Sequence, residues 1–152
     1  MRGIRWLVSL SVLGAALVVG GRSASAAACW VSTTPVAFGS YNAVSGTALA
    51  STGTVHYWCS GNVGTRSVYL SRGLAPSNNP RQMAHGTDRL NYNLYMDAAH
   101  SQIWGDPTPY SYRVTTSANN PDVNLIIYGL IPVGQDVPAG SYADNITVTI
   151  NF

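Results

Sequence analysis

Gly140-Ser-Tyr-Ala-Asp-Asn-Ile-Thr-Val-Thr-Ile-Asn-Phe152 closes the sequence. Tyr142, Ile146, Val148, Ile150 and Phe152 fall on one parity, and Ala143, Asn145, Thr147, Thr149 and Asn151 on the other. Alternation with a period of two residues is the signature of a β-strand with one buried face. No later segment follows to pair with it. Its edges are expected to be covered by an earlier strand or by something outside the chain.

Working back from this strand, residues 132–140 hold Pro132, Gly134, Pro138 and Gly140, a turn that delivers it. Residues 122–131 are strongly apolar and read as a strand, as do 89–97, with Leu90, Tyr92, Leu94 and Met96 on one face. Shorter strands are expected at 67–71, at 81–84 and, weakly, at 110–116. In Gly53-Thr-Val-His-Tyr-Trp-Cys-Ser60, Val55, Tyr57 and Cys59 share one face and Thr54, His56 and Trp58 the other. A first strand over 29–38 is interrupted at Pro35, which belongs on an edge or at a switch between sheets. Residues 39–51 are turn-rich and irregular. Roughly seven short strands separated by Gly, Pro, Ser, Thr and Asn, with no long helical pattern, predict one all-β sandwich or barrel.

The start of the sequence reads as an export signal over residues 1–26. Arg2 and Arg5 precede an apolar run, and Ala24-Ser25-Ala26 fits the small-residue cleavage rule. The apolar run is too short for a convincing membrane anchor. The mature domain is then 27–152. A lipid-modified Cys29 is the sharper alternative, but the residue three before it is Ala26 rather than a large aliphatic. The full sequence has 8 Lys and Arg, 6 Asp and Glu and a formal charge of +2. Arg2, Arg5 and Arg22 leave with the signal, so five Arg face six Asp. No basic patch remains to argue for nucleic acid or for an anionic membrane.

Only 2 Cys are present, Cys29 and Cys59. In an exported protein an even pair reads as a disulfide. Closing a loop of about 31 residues stabilises a fold by roughly 3–4 kcal/mol on the chain-entropy view. The rival is a metal site, since His56-x-x-Cys59 has ligand-like spacing, but one other Cys and no second local His leave the ligand set short.

Several pieces, in order, resemble spore coat protein U-type domains, which are also the subunits of archaic, Csu-like chaperone–usher pili. They are Cys29-x-Val31, Val36-Ala-Phe-Gly-Ser-Tyr41, Cys59-Ser60, Arg81-x-Met83, Leu90-x-Tyr92-x-Leu94-Tyr95 and Trp104-Gly-Asp106. Tyr128-Gly129, Pro138-Ala-Gly-x-Tyr142-x-Asp144 and the terminal Ile-Thr-Val-Thr-Ile run complete the set. The resemblance implies an immunoglobulin-like sandwich lacking its last strand. The vacancy is a hydrophobic groove beside the C-terminal strand, bordered by Ile146, Val148, Ile150 and Phe152. A periplasmic chaperone fills it first, touching the carboxylate of Phe152. A neighbouring subunit's N-terminal extension then replaces the chaperone at an outer-membrane usher. Only Ala27-Ala28 precede Cys29 after the expected cleavage, so the chain is expected to accept a strand while having little to donate.

Catalytic motifs are thin. There is no G-x-S-x-G, no phosphate-binding glycine loop and, without Glu, no H-E-x-x-H. His56 reads as a half-buried packing residue, and His85 and His100 as solvated loop residues. Asp97, Asp106 and Asp144 read as turn caps rather than as a carboxylate pair. Among the aromatic residues, Trp30, Tyr41, Tyr57, Trp58, Tyr92, Tyr95 and Trp104 suit a sugar- or surface-binding platform, but most are expected in the core. Trp104 and Tyr110, set among Gly105, Pro107 and Pro109, are the best exposed candidates for surface binding.

The expectation is an exported, non-enzymatic structural subunit of a chaperone–usher-type pilus or surface coat. It would need no cofactor and would serve attachment or biofilm formation at the cell surface, with no membrane insertion of the mature chain. The alternative is a self-contained secreted or spore-coat module that binds glycans or surfaces through loop aromatics.

Overall fold

The computed structural model describes residues 27–61, 63–106, 111–117 and 122–152. The stretch read as an export signal lies outside them. Eight strands follow one another: β1 (Ala28–Thr34), β2 (Leu49–Ser60), β3 (Arg66–Leu70), β4 (Arg81–His85), β5 (Asp88–Tyr95), β6 (Val114–Thr116), β7 (Asp122–Ile131) and β8 (Val148–Asn151). No helix occurs among the described residues. The strands form a five-stranded sheet in the order β1-β2-β7-β5-β4 and a three-stranded sheet in the order β6-β3-β8. The fold is the all-β, immunoglobulin-like sandwich with one disulfide.

The centre of the larger sheet is the antiparallel β2–β7 ladder, in register from Leu49 opposite Ile131 to Trp58 opposite Asp122. Alternation decides its faces. Val55, Tyr57 and Cys59 are buried on β2, and Val123, Ile127 and Ile131 on β7. They meet Val68 and Leu70 of β3 in one core, with Val148 and Ile150 of β8 packed at its margin. β1 lies on the far edge of β2 with Cys29 opposite Cys59, Cα atoms 4.1 Å apart, and the two sulfurs are bonded. This is the expected disulfide, and it takes up the Cys59 sulfur that the rival zinc reading required.

Pro35 ends β1, because it has no N–H for a ladder. The chain then leaves the sheet edge and crosses the inner face of the same sheet. Two glycines make room. A Cβ on Gly53 would lie 2.6 Å from the carbonyl oxygen of Thr34 and 2.9 Å from the Val36 side chain. One on Gly129 would lie 2.6 Å from Val36 and 2.7 Å from the Phe38 ring. The crossing ends at Tyr41, whose hydroxyl donates to the Pro132 carbonyl at 3.2 Å and accepts from the Gln135 N–H at 2.9 Å.

Two arginines are fully buried between the sheets, a use that counting charges did not reveal. Arg81 donates from Nε to the Ser71 carbonyl at 3.0 Å and from Nη1 to Asn93 Oδ1 at 3.0 Å. Its Nη2 reaches the Leu70 carbonyl at 3.3 Å, Asn78 Oδ1 at 3.1 Å and the Trp104 carbonyl at 2.6 Å. Burial pulls its pKa down to about 10, which leaves it a cation at neutral pH. Arg66 sits with its guanidinium 5.9 Å from the centre of the Tyr57 ring and donates to the Ser117 carbonyl. Each cation ties main-chain carbonyls of one layer to groups of the other.

Several boundaries differ from expectation: β1 stops at Thr34 rather than Phe38, and β6 covers only Val114–Thr116. Residues 49–51 belong to β2 rather than to a turn. The closing strand is shorter than its alternating pattern. Ala143 exchanges hydrogen bonds of 2.8 and 3.1 Å with Ala84 of β4, whereas Val148 onward pairs with β3. The chain changes sheets between them, so no single ladder spans residues 140–152. The alternation still governs burial, with Tyr142, Ile146, Val148 and Ile150 turned toward the core.

Two outcomes follow for urea unfolding. Replacing both Cys29 and Cys59 by Ala is expected to lower the unfolding free energy by roughly 3–4 kcal/mol, the loop-closure contribution of the bridge. Arg81→Met strands several buried acceptors at once and is expected to cost at least about 3 kcal/mol. Arg81→Lys recovers only part of this, because an ammonium cannot reach acceptors arrayed around a planar fork.

Candidate functional site

β8 pairs with β3 along one side, from Leu70 opposite Val148 to Ser67 opposite Asn151. Along its other side no strand pairs with it among the described residues. Beside that edge a groove of about 380 Å³ opens into the sandwich. One wall is the crossing segment, residues 33–36 with Phe38, and the other is residues 142–146 with Val148. Its floor is core: Leu70, Leu94 and Ile127 with Met83 and Tyr92. A wider hollow of about 800 Å³ continues it between residues 36–43 and 137–142, floored by Leu90 and Ile131. The two share Val36, Phe38, Met83 and Tyr142, so they form one trough.

The wall next to β8 is braced from behind. Ser71 donates its N–H to the Thr147 carbonyl at 2.9 Å, and its hydroxyl accepts the Thr147 N–H at 2.9 Å. Asp144 Oδ1 accepts the N–H groups of Leu74 at 2.9 Å and of Asn145 at 2.8 Å, and Oδ2 accepts the Tyr92 hydroxyl at 2.7 Å. Burial, then the hydrogen bond to Asp144, hold the Tyr92 hydroxyl well above the ordinary phenol range, so it stays a neutral donor. Gly73, with φ of 65°, lies so close to Asp144 that a Cβ would overlap the carboxylate. These contacts commit the carboxylate to fixing the wall.

The predicted border residues separate into two sets. Ile146 and Val148 line the groove. Ile150 packs at the core margin farther along β8, and Phe152, 55% exposed, lies beyond the strand. The opposite wall, Val36 and Phe38, was missed as a site. Its signals were the Pro35 break and the two glycines inside strong strand patterns, a mark of close backbone approach.

Trp104 requires a correction. It is fully buried, with its indole N–H donating to the Val68 carbonyl at 3.0 Å and its main-chain N–H to the Leu94 carbonyl at 2.8 Å. It plugs the gap between β3 and β5, because a flat ring with one donor fits a core position that offers one free carbonyl. It is therefore no surface-binding residue, and Tyr110 lies outside the described residues. Among the described residues, the exposed tryptophans are Trp30 and Trp58, on the outer face of the larger sheet.

The remaining polar residues serve their own loops. Asp97 accepts the Gln102 N–H at 2.8 Å and the Ser101 N–H and hydroxyl, and these bonds hold its carboxyl below the usual range. Asp106 accepts from Asn78 Nδ2 at 2.7 Å. The His85 ring packs on Tyr142, and the His100 ring meets the face of Tyr95 edge-on. Among the described residues, no group of three or more His, Cys, Asp or Glu is placed to hold a metal ion. Nor is any helix among them long and apolar enough to cross a membrane.

Comparison with known proteins agrees with this architecture. Protein U of Myxococcus xanthus is 32% identical over 134 residues, spanning 76% of this chain and 70% of that protein. Among solved structures, the fold matches a chain of the CsuC–CsuE chaperone–tip adhesion subunit pre-assembly complex from the archaic chaperone–usher Csu pili of Acinetobacter baumannii. The TM-score is 0.62 at 27% identity, covering 84% of this chain. The chain spans 40% of the length of that solved chain. The family model for the Spore Coat Protein U domain matches residues 15–149. By that match the chain belongs to the spore coat protein U domain family.

Proposed function

We propose that the chain is an exported, non-enzymatic structural subunit of a chaperone–usher-type pilus or surface coat, and that the trough beside β8 receives a β-strand from a partner. One observation carries this reading: an unpaired strand edge lies directly beside an open groove floored by core residues. Unpaired backbone groups next to exposed apolar surface invite an added strand. A guest strand running between residues 33–38 and β8 would bond its backbone to the β8 edge. It would also lower alternate side chains onto Leu70, Leu94 and Ile127. Each large side chain so buried contributes about 1.5–3 kcal/mol, and each added backbone hydrogen bond about 0.5–1.5 kcal/mol.

The first guest is a periplasmic chaperone and the later one a neighbouring subunit, delivered through an outer-membrane usher to the cell surface. The similarity to a chain of a chaperone–subunit complex supports a chaperone and a pilus subunit as partners. Attachment or biofilm formation is the role such a fibre or coat serves.

Full chain tagged internally in an exposed loop and co-expressed with a periplasmic chaperone of the chaperone–usher class tests the reading. The parent is expected to leave the periplasm as a one-to-one complex. Val148→Asp, which sets a carboxylate in the groove, is expected to reduce recovered complex by about tenfold or more. Thr149→Asp, on the solvent parity of β8, leaves it near the parental level. A parent chain recovered as a stable monomer, with a urea midpoint that added chaperone does not move, would overturn the proposal.

A further inference from the structure

The trough faces inward, and the opposite face of the same sheet carries a second feature that it does not use. Trp30 and Trp58 are Cα partners across the β1–β2 ladder. Their ring centroids are 4.8 Å apart with planes inclined by 32°. They are 55% and 44% exposed, in contrast to Trp104, which spends its N–H inside the core. Asp122 is the β7 partner of Trp58, and His56 Nε2 bonds to its Oδ1 at 2.7 Å. Both polar side chains are about half exposed or more, at 48% and 64%. Ser32 and Asn124 flank His56 on its two neighbouring strands, and both are exposed.

We propose that Trp30 and Trp58, with His56, Asp122 and Asn124, form a binding site for a neutral polysaccharide. A sugar ring has an apolar face of C–H groups and a rim of hydroxyls. The indole faces match the first, and the adjoining carboxylate, imidazole, amide and free indole N–H groups match the second. Charge decides the class of glycan. β1, β2 and β7 carry no arginine, and their only ionisable side chains besides tyrosine and the bonded cysteines are His56 and Asp122, which pair with each other. Arg66 and Arg81, the cations nearest the core, are buried. On these three strands an anionic glycan would meet no arginine or lysine and would meet the Asp122 carboxylate, so the site suits an uncharged chain. Cross-strand packing alone accounts for the stacking of two tryptophans. It does not account for the exposed hydrogen-bonding groups gathered at the same end of β2 and β7. The site stands independently of the trough, and its occupancy does not depend on strand addition.

The test uses the full chain in the state in which it is purified, alone or with a co-expressed chaperone. Tryptophan fluorescence and calorimetry follow titration with cellohexaose, laminarihexaose, mannohexaose and N-acetylchitohexaose, with alginate oligomers as the anionic comparison. At least one neutral oligosaccharide is expected to give a saturating signal, and alginate a weaker one or none. Trp30→Thr with Trp58→Thr is expected to weaken binding by about tenfold or more. His56→Gln and Asp122→Asn, on exposed groups, are expected to weaken it by about threefold or more each. If the double tryptophan variant does not fold, protection of Trp30 and Trp58 from N-bromosuccinimide by bound oligosaccharide reads the same contact in the parent. Four outcomes overturn the proposal. These are no binding up to millimolar oligosaccharide, binding unchanged in the folded variants, and preference for alginate. The fourth is a tryptophan pair that governs only self-association or adsorption to bare polystyrene.

Discussion

A sheet of five strands faces a sheet of three, and that inequality shapes everything else. Neighbouring strands lie about 4.8 Å apart, so the larger inner face exceeds the smaller by roughly 10 Å of apolar surface. Exposed apolar surface of that width is costly to leave to water. The chain covers part of it with its own residues 35–41, laid across the face after Pro35 releases them from the edge of β1. The remainder is the trough. Its existence follows from strand number and connectivity, and its position follows from where the crossing segment and the 142–148 wall stand.

So narrow a second sheet supplies few apolar side chains with which to hold the two layers together. Much of the connection is polar and buried. Arg81 gathers acceptors from both sheets and from the intervening loops, and Arg66 donates to the Ser117 carbonyl just after β6 while its guanidinium lies over the Tyr57 ring. Asp144 and Ser71 bind the groove wall to the loop after β3. Buried networks of this kind add less net stability than their bond count suggests, since desolvation offsets much of the gain. They do define geometry, because a shifted wall would leave several buried groups unpaired at once. Polar bracing therefore keeps the trough from collapsing onto its own floor, which plain apolar packing would favour.

Much of this was legible in the residues. Alternation located β2, β5 and β7, and the two cysteines announced the β1–β2 pairing. Pro35 marked the end of the edge strand. What failed to show had a common cause: it depends on which sheet a segment joins, and local pattern does not encode that. The run from Gly140 alternates throughout, yet it touches β4 at Ala143 and β3 from Val148. Trp104, framed by turn residues, read as exposed because local composition says loop. Only the fold shows that this loop tucks its indole under the Val68 carbonyl. The arginines misled in the same way, since formal charge carries no information on burial. Gly53 and Gly129 were the available clue to the crossing strand, for glycine inside a strongly β-patterned run asks what fills the missing volume.

The Cys29–Cys59 bond also bears on mechanical load. Tension entering through the residues ahead of Cys29 passes through a covalent bridge straight into β2, so β1 and the crossing segment are shielded from the pull. β2 in turn is anchored along its length to β7, in register over nearly the whole of both strands. A ladder pulled along its axis must yield many hydrogen bonds together, whereas one pulled across its end opens a bond at a time. The bridge thus directs force entering ahead of Cys29 into the longest ladder among the described residues.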